Sequence, residues 1–273
     1  MSDIVLSAGV RANLLQLQQS SDLITQTQTR LATGKRVNSA LDNAINFFTA
    51  QGLDNRANDL NALLDSMSNA INTIQAANNG ITSITKLVQS AQALTSQANQ
   101  TTDTTVRATL ASQFDALVTQ IGQLATDSGF NGVNLLAGDT LTVTFDETAT
   151  SSTAIAGVDY TDATAAPLSI ANSANSWANA SDITTSSTAL SAALTSLRGE
   201  SQTLSANLST VQIRQDFTKA TINTLQTGSA DLTLADSNEE GANLLALQTR
   251  QQLSTTALSL AAQADQNVLR LFR

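Results

Sequence analysis

The chain has 273 residues, no Cys, no His, one Pro, nine aromatic residues and a formal charge of −9. Without Cys there is no disulfide, thiolate nucleophile or thiolate metal site; without His there is no imidazole ligand and no Ser-His-Asp triad. The acidic balance leaves no basic surface for nucleic acid, and no apolar run is long enough to cross a bilayer.

The opening residues Met1 to Ser7 have neither the basic n-region nor the apolar h-region of a secretory signal peptide. Leu14, Leu17, Ile24 and Leu31 then share a heptad seam, with Ser21 and Gln28 at the positions between them. Gly34 ends this helix, with Lys35 and Arg36 suited to its C-terminal dipole. An irregular stretch from Val37 follows, and Phe47-Phe48 reads as a packing anchor. A second, longer helix is predicted from about Asn43 to Asn99 on Ala57, Leu60, Leu64, Met67, Ile71, Ile74, Ala77, Ile81, Ile84, Val88 and Ala91. Thr101 to Thr104 marks a break and an N-cap. A third helix carries Leu110, Phe114, Leu117, Ile121 and Leu124, and stops before the turn Asp127 to Gly132.

The middle changes character. Leu141 to Phe145 alternates with period two, and Ala154 to Tyr160 is its partner strand. A low-complexity Ala/Ser/Thr/Asn stretch with Pro167 and Trp177 follows. Heptads then return at Leu190, Leu194, Leu197, Leu204, Leu208, Val211, Ile222 and Leu225, with Ser201, Gln215 and Thr218 in seam positions. Thr227-Gly228-Ser229 is read as the end of that helix. A last helix, from about Ser237 to Phe272, carries Leu244, Leu247, Leu253, Ala257, Leu260, Ala261, Ala264, Val268 and Leu271.

The expected fold is mainly α: a long antiparallel coiled-coil-like helical bundle with a small β-hairpin and paired N- and C-terminal helices. Residues 1–42 and 236–273 form the terminal arms, 43–138 and 181–235 a helical rod, and 139–180 the hairpin and surface segment. Leu60, Leu64, Met67, Ile71, Ile74, Ile81, Ile84, Leu197, Leu204, Leu208 and Val211 pack the rod. Two arms paired only with each other leave much of a wide apolar stripe uncovered. Leu14, Leu17, Ile24, Leu31, Leu253, Ala257, Leu260, Ala264, Val268 and Leu271 are therefore expected to meet other copies of the chain. A self-contained helical bundle remains the alternative on periodicity alone.

Three stretches resemble bacterial flagellin. Leu31 to Ala44, with Gly34, Arg36, Asn38, Ser39, Ala40 and Asp42, is similar to the family's "L-(S/A)-(S/T)-G-x-R-(I/V)-N-S-A-x-D-(D/N)-A" signature. Phe130-Asn131-Gly132 opens a stretch like its "FNG-x-x-LL" turn. The end, through Gln263 to Leu271-Phe272-Arg273, is close to its "A-x-A-N-Q-x-x-x-x-L-(L/F)-R" terminus. The resemblance implies a non-enzymatic structural subunit, without cofactor, that self-polymerises into the flagellar filament for swimming. It also implies extracellular placement through the flagellar type III apparatus, without a cleaved signal peptide and without membrane insertion. Its implied partners are many copies of itself, an export chaperone, the filament cap and hook-associated proteins. The terminal arms resemble the filament's inner domain, and 139–180 stands where larger flagellins insert outer domains. The composition around Lys86 to Leu94 also resembles alphaproteobacterial flagellins.

Flagellins that activate the innate-immune receptor TLR5 carry a stretch resembling "LQRVRELAVQ". Lys86 to Leu94 contains no Arg or Glu, which implies weak or no TLR5 activation. The hook–filament junction protein shares both terminal regions and is the alternative within the class. A chemoreceptor rod would need methylation pairs and a single hairpin tip between symmetric halves.

Glu239-Glu240 is read as a solvated helix start rather than an acid/base pair. The scattered Asp residues lack the D-x-D-x-D-G spacing of a Ca²⁺ loop. The seam polars Ser21, Gln28, Ser201, Gln215 and Thr218 have two readings: tolerated positions, or weak points that let protofilaments slide between packings.

Overall fold

Helix length follows from the scarcity of breakers: Gly and Pro together account for 13 residues in 273. The computed structural model describes residues 8–271, and of residues 265 and 268–271 the backbone alone. Five helices run as α1 (Ala8–Thr33), α2 (Ala40–Asn99), α3 (Thr104–Thr126), α4 (Ala180–Thr233) and α5 (Ser237–Leu271). Two short strands, β1 (Thr140–Thr144) and β2 (Ser152–Ala156), lie between α3 and α4. The chain divides into two compact units, one of residues 1–56 and 224–273, the other of 57–223.

The first unit is an antiparallel pair. Val10, Asn13, Leu17, Ser20, Ile24, Thr27 and Leu31 turn a buried or half-buried face on α1, spaced alternately by three and four. On α5 the matching face is Glu240, Leu244, Leu247, Gln251, Ser254, Leu258 and Ala261. Leu17, Ile24 and Leu31 thus keep their predicted phase, but Ser21 and Gln28 are exposed, and Ser20 and Thr27 occupy the seam instead. The predicted phase followed Leu14, which is 38% exposed and lies one flank off the contact.

Gly34 takes φ +68 and ends α1 in the left-handed conformation. The chain then docks on the end of α4: Arg36 and Val37 amides donate to Thr233 O at 2.7 and 3.2 Å, and Ala235 N donates to Gly34 O at 3.0 Å. Gly228 does not end α4. It stays helical beside the Leu53 side chain, and the helix continues until Leu234 pairs with Lys35. Asn43 breaks the first turn of α2 (φ −163, ψ 100), and its Oδ1 accepts the Asn46 amide at 3.0 Å, an N-cap for the long helix.

In the second unit the 57–99 part of α2, α3 and the 180–223 part of α4 share one core with the hairpin. The α2–α4 polar contacts Ser68–Gln215, Asn78–Ser201 and Gln92–Ser191 fall in number on one helix as they rise on the other, so the pairing is antiparallel. Asp103 caps α3, accepting from the Thr105 and Val106 amides. β1 and β2 pair antiparallel with Leu141 opposite Ile155. Trp177, fully buried at the end of a left-handed turn over 175–177, stacks 5.0 Å from Phe114 and donates to Ser186 Oγ at 3.2 Å. The Ala166–Pro167 bond is cis.

Candidate assembly surfaces

In the rod, Leu60, Met67, Ile74, Ile81, Ile84, Leu197, Leu204 and Val211 are buried, and Leu64, Ile71 and Leu208 are half-buried. Two seam polars have partners across the helices: Gln215 Nε2 donates to Ser68 Oγ at 2.9 Å, and Ser201 Oγ to Asn78 Oδ1 at 3.4 Å. Thr218 is buried. Arg107, also buried, donates to the carbonyls of Ala98, Thr101 and Ala178 and ties the end of α2 to the approach to α4.

The arms divide into two faces. Toward α1 lies the seam already described; away from it, α5 exposes Leu245 (67%), Leu253 (67%) and Leu260 (62%), with Ala257 and Ala264 also exposed. A shallow groove of about 550 Å³ runs there along Ala242, Leu245, Ala246, Thr249, Arg250 and Leu253. The side chains of Val268 and Leu271 lie outside the described residues, as does Arg273. On α1, Leu14, Leu15 and Leu23 are exposed. At the start of α2, Leu41, Ile45 and Phe48 make a further exposed line at spacings of four and three, with Leu41 98% exposed. Phe48 is therefore not the anchor expected: it meets Phe47 edge-on at 5.5 Å and otherwise faces outward.

The signature turn is built from its own polar groups. Asp42 Oδ2 accepts the amides of Asn38 and Ser39 and the Ser39 hydroxyl, and Asn38 Nδ2 donates to Lys35 O at 2.8 Å. The two backbone donors, aided by Arg30, hold the Asp42 carboxyl below its ordinary value. Ala40 begins α2 next to this turn. Glu240 is not solvated: its Oε1 takes the Arg30 guanidinium at 3.0 Å, and its side chain is 9% exposed. Glu239 remains exposed, and an adjacent Glu pair gives no sequence signal to tell one from the other.

The Phe130–Val133 turn is a reciprocal hairpin with Asn131 and Gly132 both at positive φ, as a two-residue Asn-Gly loop requires. Asn134, an unspecified position of the motif, locks it. Its Nδ2 donates to the last carbonyls of α3 (Ala125 and Thr126), its Oδ1 accepts from Leu136 N, and its amide donates to Asp139. An Asn between a helix end and a buried Leu-Leu pair is the signal that marks it.

Long helical seams whose outer apolar faces lie uncovered define a structural subunit built for lateral packing. Residues 8–140 match the bacterial flagellin N-terminal helical region, and 187–272 the flagellin C-terminal helical region. Flagellin FljK of Caulobacter vibrioides is 33% identical over the whole chain and 99% of its own length. A flagellin of Brucella melitensis is 29% identical with both chains fully covered, and one of Listeria innocua is 26% identical over 54% of this chain and 48% of its own. The chain belongs to the bacterial flagellins, as a short alphaproteobacterial-type member and a structural subunit of the extracellular flagellar filament. Nothing in these matches favours the hook–filament junction alternative.

Proposed function

We infer that the first unit is the filament's inner assembly element, and that copies cover one another's outer faces of α5, α1 and early α2. The observation that carries this is the second apolar face of α5, where Leu245, Leu253 and Leu260 lie more than 60% exposed. Covering each such Leu contributes on the order of 1–2 kcal/mol, so a lateral contact over all three adds a favourable term to polymerisation. The rod residues Leu60, Met67, Ile74, Ile81, Ile84, Leu197, Leu204 and Val211 hold the second unit together as a stiff helical element.

The reading is tested by electron microscopy after precipitant-induced polymerisation. Leu253→Gln with Leu260→Gln should fold like the parent and form no filaments, and a chain lacking 244–273 should form none either. Filaments from either would overturn it. Brief proteolysis of the monomer should remove about 1–40 and 236–273 and spare the middle; a fully resistant monomer supports the self-contained bundle.

We also propose type III export, an export chaperone on the C-terminal arm, and contacts with cap and hook-associated proteins. TLR5 activation should be weak, because Lys86 to Leu94 offers no Arg or Glu. Full potency of purified monomer in a receptor reporter assay would refute that.

A further inference from the structure

Asn-Gly occurs twice in the chain, at Asn79-Gly80 and Asn131-Gly132, and the fold treats the two oppositely. Gly80 lies inside α2, with its amide engaged in the helical ladder. It is buried, and a Cβ there would lie 2.7 Å from Leu136 Cδ1 and 2.8 Å from Ser128 Cβ. Asn131 and Gly132 are exposed at the tip of the Phe130–Val133 hairpin, and a Cβ on Gly132 would meet nothing within 4 Å. Among the described residues the Gly132 amide has no hydrogen-bond acceptor and the Asn131 side chain no partner. Across the turn itself the bonds are Phe130 N to Val133 O (2.9 Å) and Val133 N to Phe130 O (3.0 Å), while Asn134, the residue that follows, is anchored to the end of α3.

We propose that Asn131 is a site of spontaneous covalent modification in the folded protein, losing its side-chain amide through a cyclic imide, while Asn79 is protected. The Gly132 backbone nitrogen gives up its proton to water or hydroxide and attacks Asn131 Cγ. The N–Cγ bond forms, the Cγ–Nδ2 bond breaks, and ammonia leaves. Water then opens the imide at either carbonyl, giving aspartate, or isoaspartate with the main chain rerouted through the side chain. The balance is amide plus water to carboxylate plus ammonium, with no oxidation or reduction. Glycine matters because no Cβ shields its nitrogen. Attack requires the turn to swing open, and local opening of an exposed hairpin tip is far easier than unwinding the middle of a long helix packed at Gly80. The reaction is therefore slower than in an unfolded chain but selective. It places a new negative charge in a turn already bearing Asp127 and Asp139, and the isoaspartate product adds a backbone atom to a two-residue loop.

The test is peptide mapping by mass spectrometry of full-length protein incubated at mildly alkaline pH, with circular dichroism confirming that the fold persists. Asn131 should lose its amide at least about tenfold faster than Asn79, giving both aspartate and isoaspartate. In denaturant the two sites should react at similar rates, and Asn131→Gln should yield no isoaspartate at the turn. Retention of the Asn131 amide at the Asn79 level, or equal loss at both sites in the folded chain, overturns the proposal. So does equal inertness of both sites in denaturant.

Discussion

Arg30 Nη1 donates to Glu240 Oε1 at 3.0 Å, joining the last turn of α1 to the first turn of α5 with the Glu side chain 9% exposed and the Arg 27%. The pair sits where each charge suits its helix end, Arg at a C-terminus and Glu at an N-terminus. It also lies at the end of a seam otherwise weak in apolar contacts, with Ser20, Thr27, Gln251 and Ser254 in heptad positions. Ser20 Oγ is buried there without a hydrogen-bond partner among the described residues.

Removing one member of this pair leaves the other half-desolvated. Glu240→Ala should destabilise the first unit by about 1–3 kcal/mol, below the range for fully buried pairs because Arg30 keeps some contact with water. A double replacement, Arg30→Met with Glu240→Leu, should recover most of that loss. Thermal melts of the parent, Arg30→Met, Glu240→Leu and the double variant measure the coupling, and a double variant as unstable as the Glu240 single variants refutes it.

Helix existence and the heptad rows were legible because their period repeats over many turns: Met67, Ile74, Ile81 and Val88 mark one face whatever surrounds them. The seam phase of α1 was not, since Leu14 drew it toward a face the fold leaves exposed, and polar Ser20 and Thr27 carry no hydropathic signal. Gly228 looked like a terminator, but tertiary contact overrides local propensity there. Of the assembly surfaces, the wide apolar stripe on α5 was readable, whereas its division into inner and outer faces depends on which side α1 takes. The Arg30–Glu240 pair spans 210 residues of sequence and no local pattern announces it.

Two glycines should respond to Ala with opposite signs. At Gly157 a Cβ would run into the backbone carbonyls of Asp139 and Leu135, which receive the Gly157 and Val158 amides and cannot withdraw. Gly157→Ala should lower stability by about 1–3 kcal/mol or more. Gly199, inside α4 with nothing within 4 Å of its Cβ position, should gain up to about 1 kcal/mol on replacement by Ala. Denaturant midpoints decide both, and equal signs contradict the packing described.

The β1–β2 turn should hold far into acid. Asp146 accepts from the Thr148 and Thr150 hydroxyls and the Ser151 amide, which lower its pKa from 3.8 to about 2. A depressed folded-state pKa stabilises the fold fully above 3.8, and that support fades as pH falls toward about 2. Side-chain NMR titration should place Asp146 near the lower value, and Thr148→Val with Thr150→Val should move it back up. An unshifted titration in the parent protein would contradict the network.

The polar seam positions bear on waveform. Gln215 and Ser201 bridge α2 and α4 through single hydrogen bonds to side chains that are themselves exposed or half-exposed, Ser68 and Asn78. Such bonds are exchanged for water with little net change, about 1 kcal/mol or less each, whereas an interdigitated Leu must be unpacked before the seam shifts. Filament supercoiling requires subunits to pass between closely spaced packings, and exchangeable polar layers keep those packings near in energy. Gln215→Leu and Ser201→Leu, combined with Thr218→Val at the buried seam position, should therefore leave the monomer folded and polymerisation intact. The resulting filament should be held straight or in one helical form. Dark-field microscopy of swimming cells across a range of salt and pH reads this directly. A triple variant that keeps the parent's full set of waveforms would show that the polar layers are packing neighbours and no more.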